Sequence, residues 1–396
     1  MSRTTPAPVP TSTGRASPRV NRLSVTAFRN YTSARMDVSS SAIVLTGPNG
    51  AGKTNLLEAV SFLTPGRGLR RARISEVGRV AADGNNAAWA VSAEVGGMIG
   101  YVQIGTGRDP GPEGTGRDGG EKRLVRIDGV PAKSQTVLAE HLAVSWLTPQ
   151  MDRLFIEGSS NRRRFLDRLV YAFDPDHATR VNAYTHALRE RARLLRNGTR
   201  DPAWFAALEE SIAEKAVAIA AARSGLVARL NAVTMTDSGP FPGAELSLDG
   251  YVETEIASRP ALAVEDELKA RLEAARRLDG SEPAPVPGPH RSDLEVRHMI
   301  KGMMAPHCST GEQKALLIAI VLGHARLGAD ETGAVPVLLL DEVAAHLDSG
   351  RRAALYDILL ALGGQVWMTG TDRALFASLE GAGQFFAVED GEVRAD

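Results

Sequence analysis

The run Gly47-Pro48-Asn49-Gly50-Ala51-Gly52-Lys53-Thr54 sets an ammonium and a hydroxyl directly behind a glycine-rich turn. Glycines let successive backbone N–H groups point inward onto a phosphate, and a helix starting at the lysine adds a positive partial charge there. Lys53 would neutralise the terminal phosphates of a nucleotide, and Thr54 would offer its hydroxyl to Mg²⁺. Asn55 continues the same turn into the helix. A second constellation, Val337-Leu338-Leu339-Leu340-Asp341-Glu342, ends an apolar run in two adjacent carboxylates. Asp341 there suits Mg²⁺ through its water shell, and Glu342 suits polarisation of an attacking water.

A third constellation is Ser309-Thr310-Gly311-Glu312-Gln313, ahead of the apolar helical run Ala315 to Leu322. Ser309 and Gly311 opening a helix make another anion site. Ser-Thr-Gly-Glu is also an ordinary capping box. Two helix N-termini far apart in one chain cannot share one γ phosphate. Two copies of the chain can, with the serine of one lying over the nucleotide of the other.

The elements that must position these groups are legible around them. Ala42 to Thr46 is a short apolar strand, and Asn55 to Leu63 carries apolar residues at helical spacing, so the order is strand, loop, helix. Val335 to Leu340 and Gln365 to Thr369 are further buried strands. Ala88 to Val95, Met98 to Ile104 and Leu124 to Gly129 predict an antiparallel layer, with Gly105 to Gly120 as a loop. From Asn161 to Leu230, and again over Ala261 to Leu278, the pattern is helical. The proline-rich stretch Gly280 to Pro289 suggests a lobe boundary. The expected architecture is α/β: a phosphate-loop ATP-binding cassette head, with a parallel sheet core and an antiparallel β layer, carrying an inserted, mainly helical second lobe. The expected division is 1–20 as a disordered basic tail, 21–149 plus 286–396 as the ATPase lobe, and 150–285 as the helical lobe.

Composition narrows the classes. The chain has 396 residues, a formal net charge of −1 and a single cysteine, Cys308. No internal disulfide or cysteine zinc site is possible, and the chain reads as cytoplasmic. No stretch is expected to reach the length of a membrane-spanning helix. With a near-neutral balance, a nucleic-acid site must come from local clustering of arginine.

The ordered set resembles the ATP-binding cassette ATPases. Gln150, after Trp146-Leu147-Thr148-Pro149, resembles the glutamine that senses Mg²⁺ and γ phosphate. Ala345-His346-Leu347-Asp348 resembles the loop that reaches across the dimer. Within that superfamily the chain is similar to the RecF family from about residue 21 onward. The strings that carry this are Phe28-Arg29-Asn30-Tyr31, the phosphate loop with Asn55-Leu56-Leu57-Glu58-Ala59, Gly66-Arg67-Gly68-Leu69-Arg70, Arg162-Arg163-Arg164-Phe165-Leu166-Asp167-Arg168, and Gly288-Pro289-His290-Arg291-Ser292-Asp293-Leu294. Thr310 departs from the general signature, and Thr369-Gly370-Thr371-Asp372 stands where transporters carry a switch histidine. The resemblance implies ATP and Mg²⁺ as cofactors, slow hydrolysis, an ATP-dependent homodimer, and gapped or junction DNA as partner. It also implies recombinase loading with RecO and RecR, and support of replication and the SOS response.

Basic runs suggest where DNA would lie. Arg67, Arg70, Arg71 and Arg73 follow the first helix; Arg162, Arg163, Arg164 and Arg168 open the helical lobe; Arg189, Arg191, Arg193 and Arg196 come next. Scarce aromatics near them suggest backbone contact without base reading. Solvated helix faces with internal ion pairs would give the same runs. Two other functions fit the nucleotide motifs: the nucleotide-binding subunit of a membrane transporter, and an ATP-switched protein scaffold that never touches DNA.

Overall fold

In the computed structural model, residues 17–80, 87–97, 100–108, 123–199, 201–236, 239–276 and 286–396 are described. In chain order, β1 (Arg19–Phe28), β2 (Tyr31–Asp37) and β3 (Ala42–Thr46) precede α1 (Lys53–Ser61). Then come β4 (Trp89–Gly97), β5 (Gly100–Arg108), β6 (Leu124–Ile127), β7 (Val130–Pro131) and β8 (Val144–Leu147). The second lobe contributes α2 (Ser159–Tyr171), α3 (His177–Arg196), α4 (Pro202–Thr234), β9 (Ala244–Asp249), α5 (Tyr251–Ser258) and α6 (Ala261–Ala275). The chain closes with β10 (Asp293–His298), β11 (Met303–Met304), α7 (Thr310–Thr332), β12 (Val337–Leu340), α8 (Ser349–Leu362), β13 (Val366–Gly370), β14 (Gly383–Glu389) and β15 (Glu392–Ala395).

The central sheet runs β15-β14-β3-β13-β12-β8, parallel except for the edge strand β15. Its inner strands are uniformly apolar because both faces are covered. Side chains alternate between two cores: Ile43, Leu45, Val337, Leu339 and Trp367 face α1 and the antiparallel sheet, whereas Ala42, Val44, Leu338, Leu340 and Met368 face α7 and the second lobe. The antiparallel sheet runs β2-β1-β4-β5-β6-β7.

Several sequence expectations shift. Ser17 Oγ accepts a hydrogen bond from Val335 N–H at 3.0 Å, and Val20 is fully buried in β1. The expected tail therefore ends before residue 17; residues 1–16 lie outside the described residues. β5 continues to Arg108, so Gly105–Arg108 is strand rather than loop, since its pairing with β4 and β6 satisfies those backbone groups. Met98 and Ile99, the rest of the loop at 109–122 and the link over 277–285 lie outside the described residues.

The second lobe is mainly helical, as expected, but it also carries β9, whose partner strand β10 lies past 285. β9 pairs with β10 from Asp249↔Asp293 to Ala244↔His298, and β11 extends that sheet. The alternating Leu246/Leu248 and Leu294/Val296 carried this signal, because both strands bury one face against the core. α4 also overturns one expectation: over Pro202–Thr234 it is long and apolar enough to cross a membrane. Here it is the central helix of the second lobe, with Ile212, Ala216, Ala220, Leu226 and Leu230 buried and the charged Glu209 and Arg223 buried beside them.

Candidate functional site

The phosphate loop and the Asp341–Glu342 pair lie at the carboxyl ends of β3 and β12, which flank β13 in the central sheet, and it is at such strand ends that α/β sheets place ligands. β3 runs into the phosphate loop. A side chain at Gly47 would strike the Val388 carbonyl, and one at Gly52 would meet Asn30 and Tyr31; both glycines also have positive φ. Asn30 Nδ2 donates to Ala51 O at 2.8 Å and its Oδ1 accepts from Asn55 Nδ2 at 2.6 Å, which stitches the loop to the β1–β2 turn. Asn55 also receives Arg70. Beneath them Glu58, fully buried, is neutralised by Arg29 at 2.6 Å and Arg70 at 3.2 Å. Arg70, expected with the DNA-facing group, thus braces the loop–helix junction.

Lys53 Nζ donates to the carbonyls of Gly47 at 2.7 Å and Pro48 at 2.8 Å, so the ammonium lies across the mouth of the loop. Burial lowers its proton affinity, and the nearby charges of Glu342 and Asp341 oppose that. Asp341, 5% exposed, receives two hydroxyl donors on one oxygen: Thr54 Oγ1 at 2.9 Å and Thr369 Oγ1 at 2.8 Å. Burial raises its proton affinity, and the two hydroxyls only partly offset this.

Thr369 is the residue that sequence reasoning did not assign. Its oxygen also accepts Glu342 N–H at 2.9 Å. Glu342 has φ +53, a left-handed backbone that a residue with a Cβ adopts at a cost. β13 lies between β3 and β12, so its last turn inward falls between the phosphate loop and the acidic pair. Its sequence position matches that of the switch histidine of transporters, but only strand order shows what it touches. Asn30, within Phe28-Arg29-Asn30-Tyr31, carries no local sign of its role either.

Gln150 lies exposed just past β8, which pairs with β12. Ser309 is exposed at the N-terminus of α7: its Oγ accepts Glu312 N–H at 3.4 Å, and Glu312 accepts Ser309 N–H at 2.9 Å. The capping box is therefore formed, with Gly311 exposed beside it. Asp348 caps α8 by accepting Arg351 N–H at 2.9 Å. Among the described residues no three His, Cys, Asp or Glu side chains cluster as a protein-only metal cage would require. The hard oxygens of Thr54 and Asp341 fit Mg²⁺, which takes few protein ligands and completes its shell with phosphate and water.

The structure divides the basic runs. Arg162 forks onto Asp293 with two 2.7 Å contacts, and Arg163 donates to Ser292 O at 2.6 Å. These two, expected to face DNA, instead tie the start of α2 to the Ser292–Asp293 segment, because an internal carboxylate and carbonyl lie opposite them. Arg191 is buried against Glu209 at 2.9 Å, and Arg193 pairs with Glu190 at 2.5 Å. Arg164, Arg67 and Arg71 face a cleft between the lobes.

The chain is similar to known proteins over nearly its whole length. Residues 19–393 match the RecF/RecN/SMC N terminal domain. The DNA replication and repair protein RecF of Mesorhizobium japonicum is 52% identical over 380 residues, covering 96% of this chain and 98% of that protein. Its counterpart in Agrobacterium fabrum is 50% identical over 378 residues, covering 95% and 98%. Among solved structures, the recombination mediator protein RecF–ATPrS of the RecFOR pathway superposes with TM-score 0.81 at 22% identity, over 96% of this chain and 99% of that one. The Smc head domain of Pyrococcus furiosus with the ScpA C-terminal domain gives 0.54 at 16% identity, over 96% of each chain.

Proposed function

The chain belongs to the RecF family of DNA replication and repair proteins, and from that premise we propose that it is an ATP-switched, DNA-binding dimer with slow ATPase activity. The observation that carries the reading is the buried Asp341 carboxylate, joined through hydroxyls to the first residue after Lys53 and to the backbone of Glu342.

Each nucleotide would meet Lys53, Thr54, Gln150, Asp341 and Glu342 of one copy, and Ser309, Gly311 and Asp348 of the other. Lys53 leaves the Gly47 and Pro48 carbonyls for the β and γ phosphates, to which the Gly47–Gly52 amides and Asn55 also turn. Thr54, Asp341 and Gln150 would hold Mg²⁺, which supplies charge neutralisation on the phosphate oxygens when bound. Glu342 orients and polarises water as general base. Hydrolysis is slow because Thr369 supports the acidic pair but offers no ionisable group to the γ phosphate. ATP then acts chiefly as the tie between copies, and closure presents a surface for gapped or single-strand/double-strand junction DNA without sequence reading. Recombinase loading with RecO and RecR, support of the SOS response and a cytoplasmic location complete the reading. Family membership takes the place of the transporter-subunit alternative; the DNA-free scaffold is the remaining competitor.

Glu342→Gln removes the base and keeps the shape. It is expected to slow hydrolysis by about 10²–10⁴-fold and to sediment as a stable dimer with excess ATP. A Glu342→Gln chain that stays monomeric under those conditions contradicts the mechanism.

A further inference from the structure

Two basic runs far apart in sequence meet at one place. The loop after α1 and the first turns of α2 face each other across a cleft of about 670 Å³ between the lobes. Arg67 and Arg71 come from one wall and Arg164 and Arg168 from the other. Among the described residues, the guanidinium groups of Arg67 and Arg71 have no hydrogen-bond or ion-pair partner, and that of Arg164 hydrogen-bonds only the neutral side chain of Asn161. Burial, then the charges of Arg164 and Arg67, holds Arg71 below the usual arginine range. Arg168 lies over the Trp146 ring at 4.1 Å with its Nε unpartnered, and burial pushes it down to about 9.

The acids of the cleft do not neutralise these groups. Asp167 is already held by Arg223 at 2.8 Å and His177 at 2.8 Å, and the single charge of Glu157 is shared between Arg153 at 4.0 Å and Arg164, leaving Arg67 and Arg71 without an acid. The arginine-bearing loop is braced in place. Arg123 donates to the carbonyls of Thr64 at 3.0 Å and Gly66 at 2.9 Å, and Leu69 N–H donates to Ser61 Oγ at 2.8 Å. Arg71 itself is held at φ +60. A left-handed arginine whose guanidinium group is unpaired, in a braced loop, is an arrangement maintained against its own strain and repulsion. An anion relieves the repulsion.

We propose that this interlobe cleft seats the sugar–phosphate backbone of DNA, with Arg67 and Arg71 on one lobe and Arg164 on the other contacting successive phosphates. The inference rests on the DNA-binding reading above and gives it an address. Planar guanidinium forks suit phosphate oxygens, and several of them spaced along a groove suit a repeating anion. Trp146 and Phe165 are buried beneath Arg168, so they offer no stacking face to bases. Contact is therefore to the backbone, without sequence preference. Gln150 lines the same cleft, which places the phosphate track beside the group assigned to the nucleotide.

The test measures binding of a fluorescein-labelled gapped duplex to the full chain with ATP, by anisotropy, at several salt concentrations. Arg71→Ala and Arg164→Ala are each expected to weaken binding several-fold and lower the salt slope by about one; together they should lower it by about two. Arg71→Lys, which keeps the charge, should recover most of the slope. Arg193→Ala, on an exposed helix face, should bind as the unaltered chain does. ATP-dependent sedimentation checks that the variants fold. Equal affinity and equal slope for the double variant overturn the cleft assignment alone. An unaltered chain without measurable DNA affinity overturns the functional reading, and the cleft assignment with it. Poly-glutamate of matched charge serves as competitor: failure to displace the duplex supports phosphate recognition, and displacement at equal charge overturns it in favour of an acidic peptide.

Discussion

Asp341 and Asp167 are equally buried, each 5% exposed, and the fold treats them in opposite ways. Asp341 at the end of β12 receives two neutral hydroxyls and no cation in contact, and burial raises its proton affinity. Asp167 on α2 also suffers burial. There a hydrogen bond from His177 and the fork of Arg223, at 2.8 and 2.9 Å, more than offset it, and its proton affinity falls. Arg223 further donates to Pro289 O at 2.6 Å and lies 3.8 Å from Glu253, which accepts Ser292 Oγ–H at 2.6 Å. One aspartate is closed within the fold, and the other keeps an uncompensated charge turned toward the phosphate loop. A buried carboxylate left to hydroxyls is one that a cation can still claim.

The largest effect should come from breaking the closed arrangement. Arg223→Ala leaves Asp167 and Glu253 buried beside a cavity, and should destabilise the fold by about 3–5 kcal/mol in urea unfolding. A loss under about 1 kcal/mol would mean the two aspartates are not treated differently after all. Thr369→Val removes the donor to Asp341 and the acceptor for Glu342 N–H. Hydrolysis should fall about tenfold, equivalent to about 1.4 kcal/mol, with less change in ATP affinity. Thr369→Ser should restore the rate, which a purely packing role would not predict.

Asp341→Asn sharpens the contrast from the open side. A carboxylate whose folded-state proton affinity is raised costs stability when ionised. The variant should therefore gain about 1 kcal/mol at neutral pH, and the gain should shrink as pH falls through the raised value of the folded state. Asp167 has the reverse sign: its contribution is complete above the ordinary carboxylate range and is lost as pH falls through its lowered folded value. Melting temperatures from pH 7 downward distinguish the two slopes. Mg²⁺ with ATP should raise the melting temperature of the unaltered chain but not of Asp341→Asn. The smallest effect belongs to Arg193→Ala: its pair with Glu190 lies on a solvated helix face, and no shift in the unfolding midpoint is expected.

Much of the site was legible beforehand because the phosphate loop, the acidic strand end and the signature turn are local patterns, each contained in one stretch of backbone. The glycines of the phosphate loop announced a turn whose amides point inward; Ser309 and Glu312 announced a capping box. Strand β9 and its pairing past 285 were missed: the alternation at Leu246/Leu248 and Leu294/Val296 is present but too short to outweigh the neighbouring prolines until the partner strand is known. Arg162 and Arg163 were assigned outward for the same reason: nothing in their own neighbourhood names Asp293 and Ser292 as partners.

The amino-acid sequence by itself determined the chemistry on offer: a lysine and a hydroxyl behind glycines, two acids ending a buried strand, and a family membership carried by ordered strings. Tertiary structure alone decided which charges stay available. Strand order inserts Thr369 between Lys53's loop and Asp341, and the packing of α2 and α4 closes Asp167. The meeting of the lobes joins Arg71 to Arg164 while giving Arg162 an internal carboxylate. The reason is physical: a side chain's charge is set by what surrounds it within a few ångströms, and those neighbours come from remote parts of the chain.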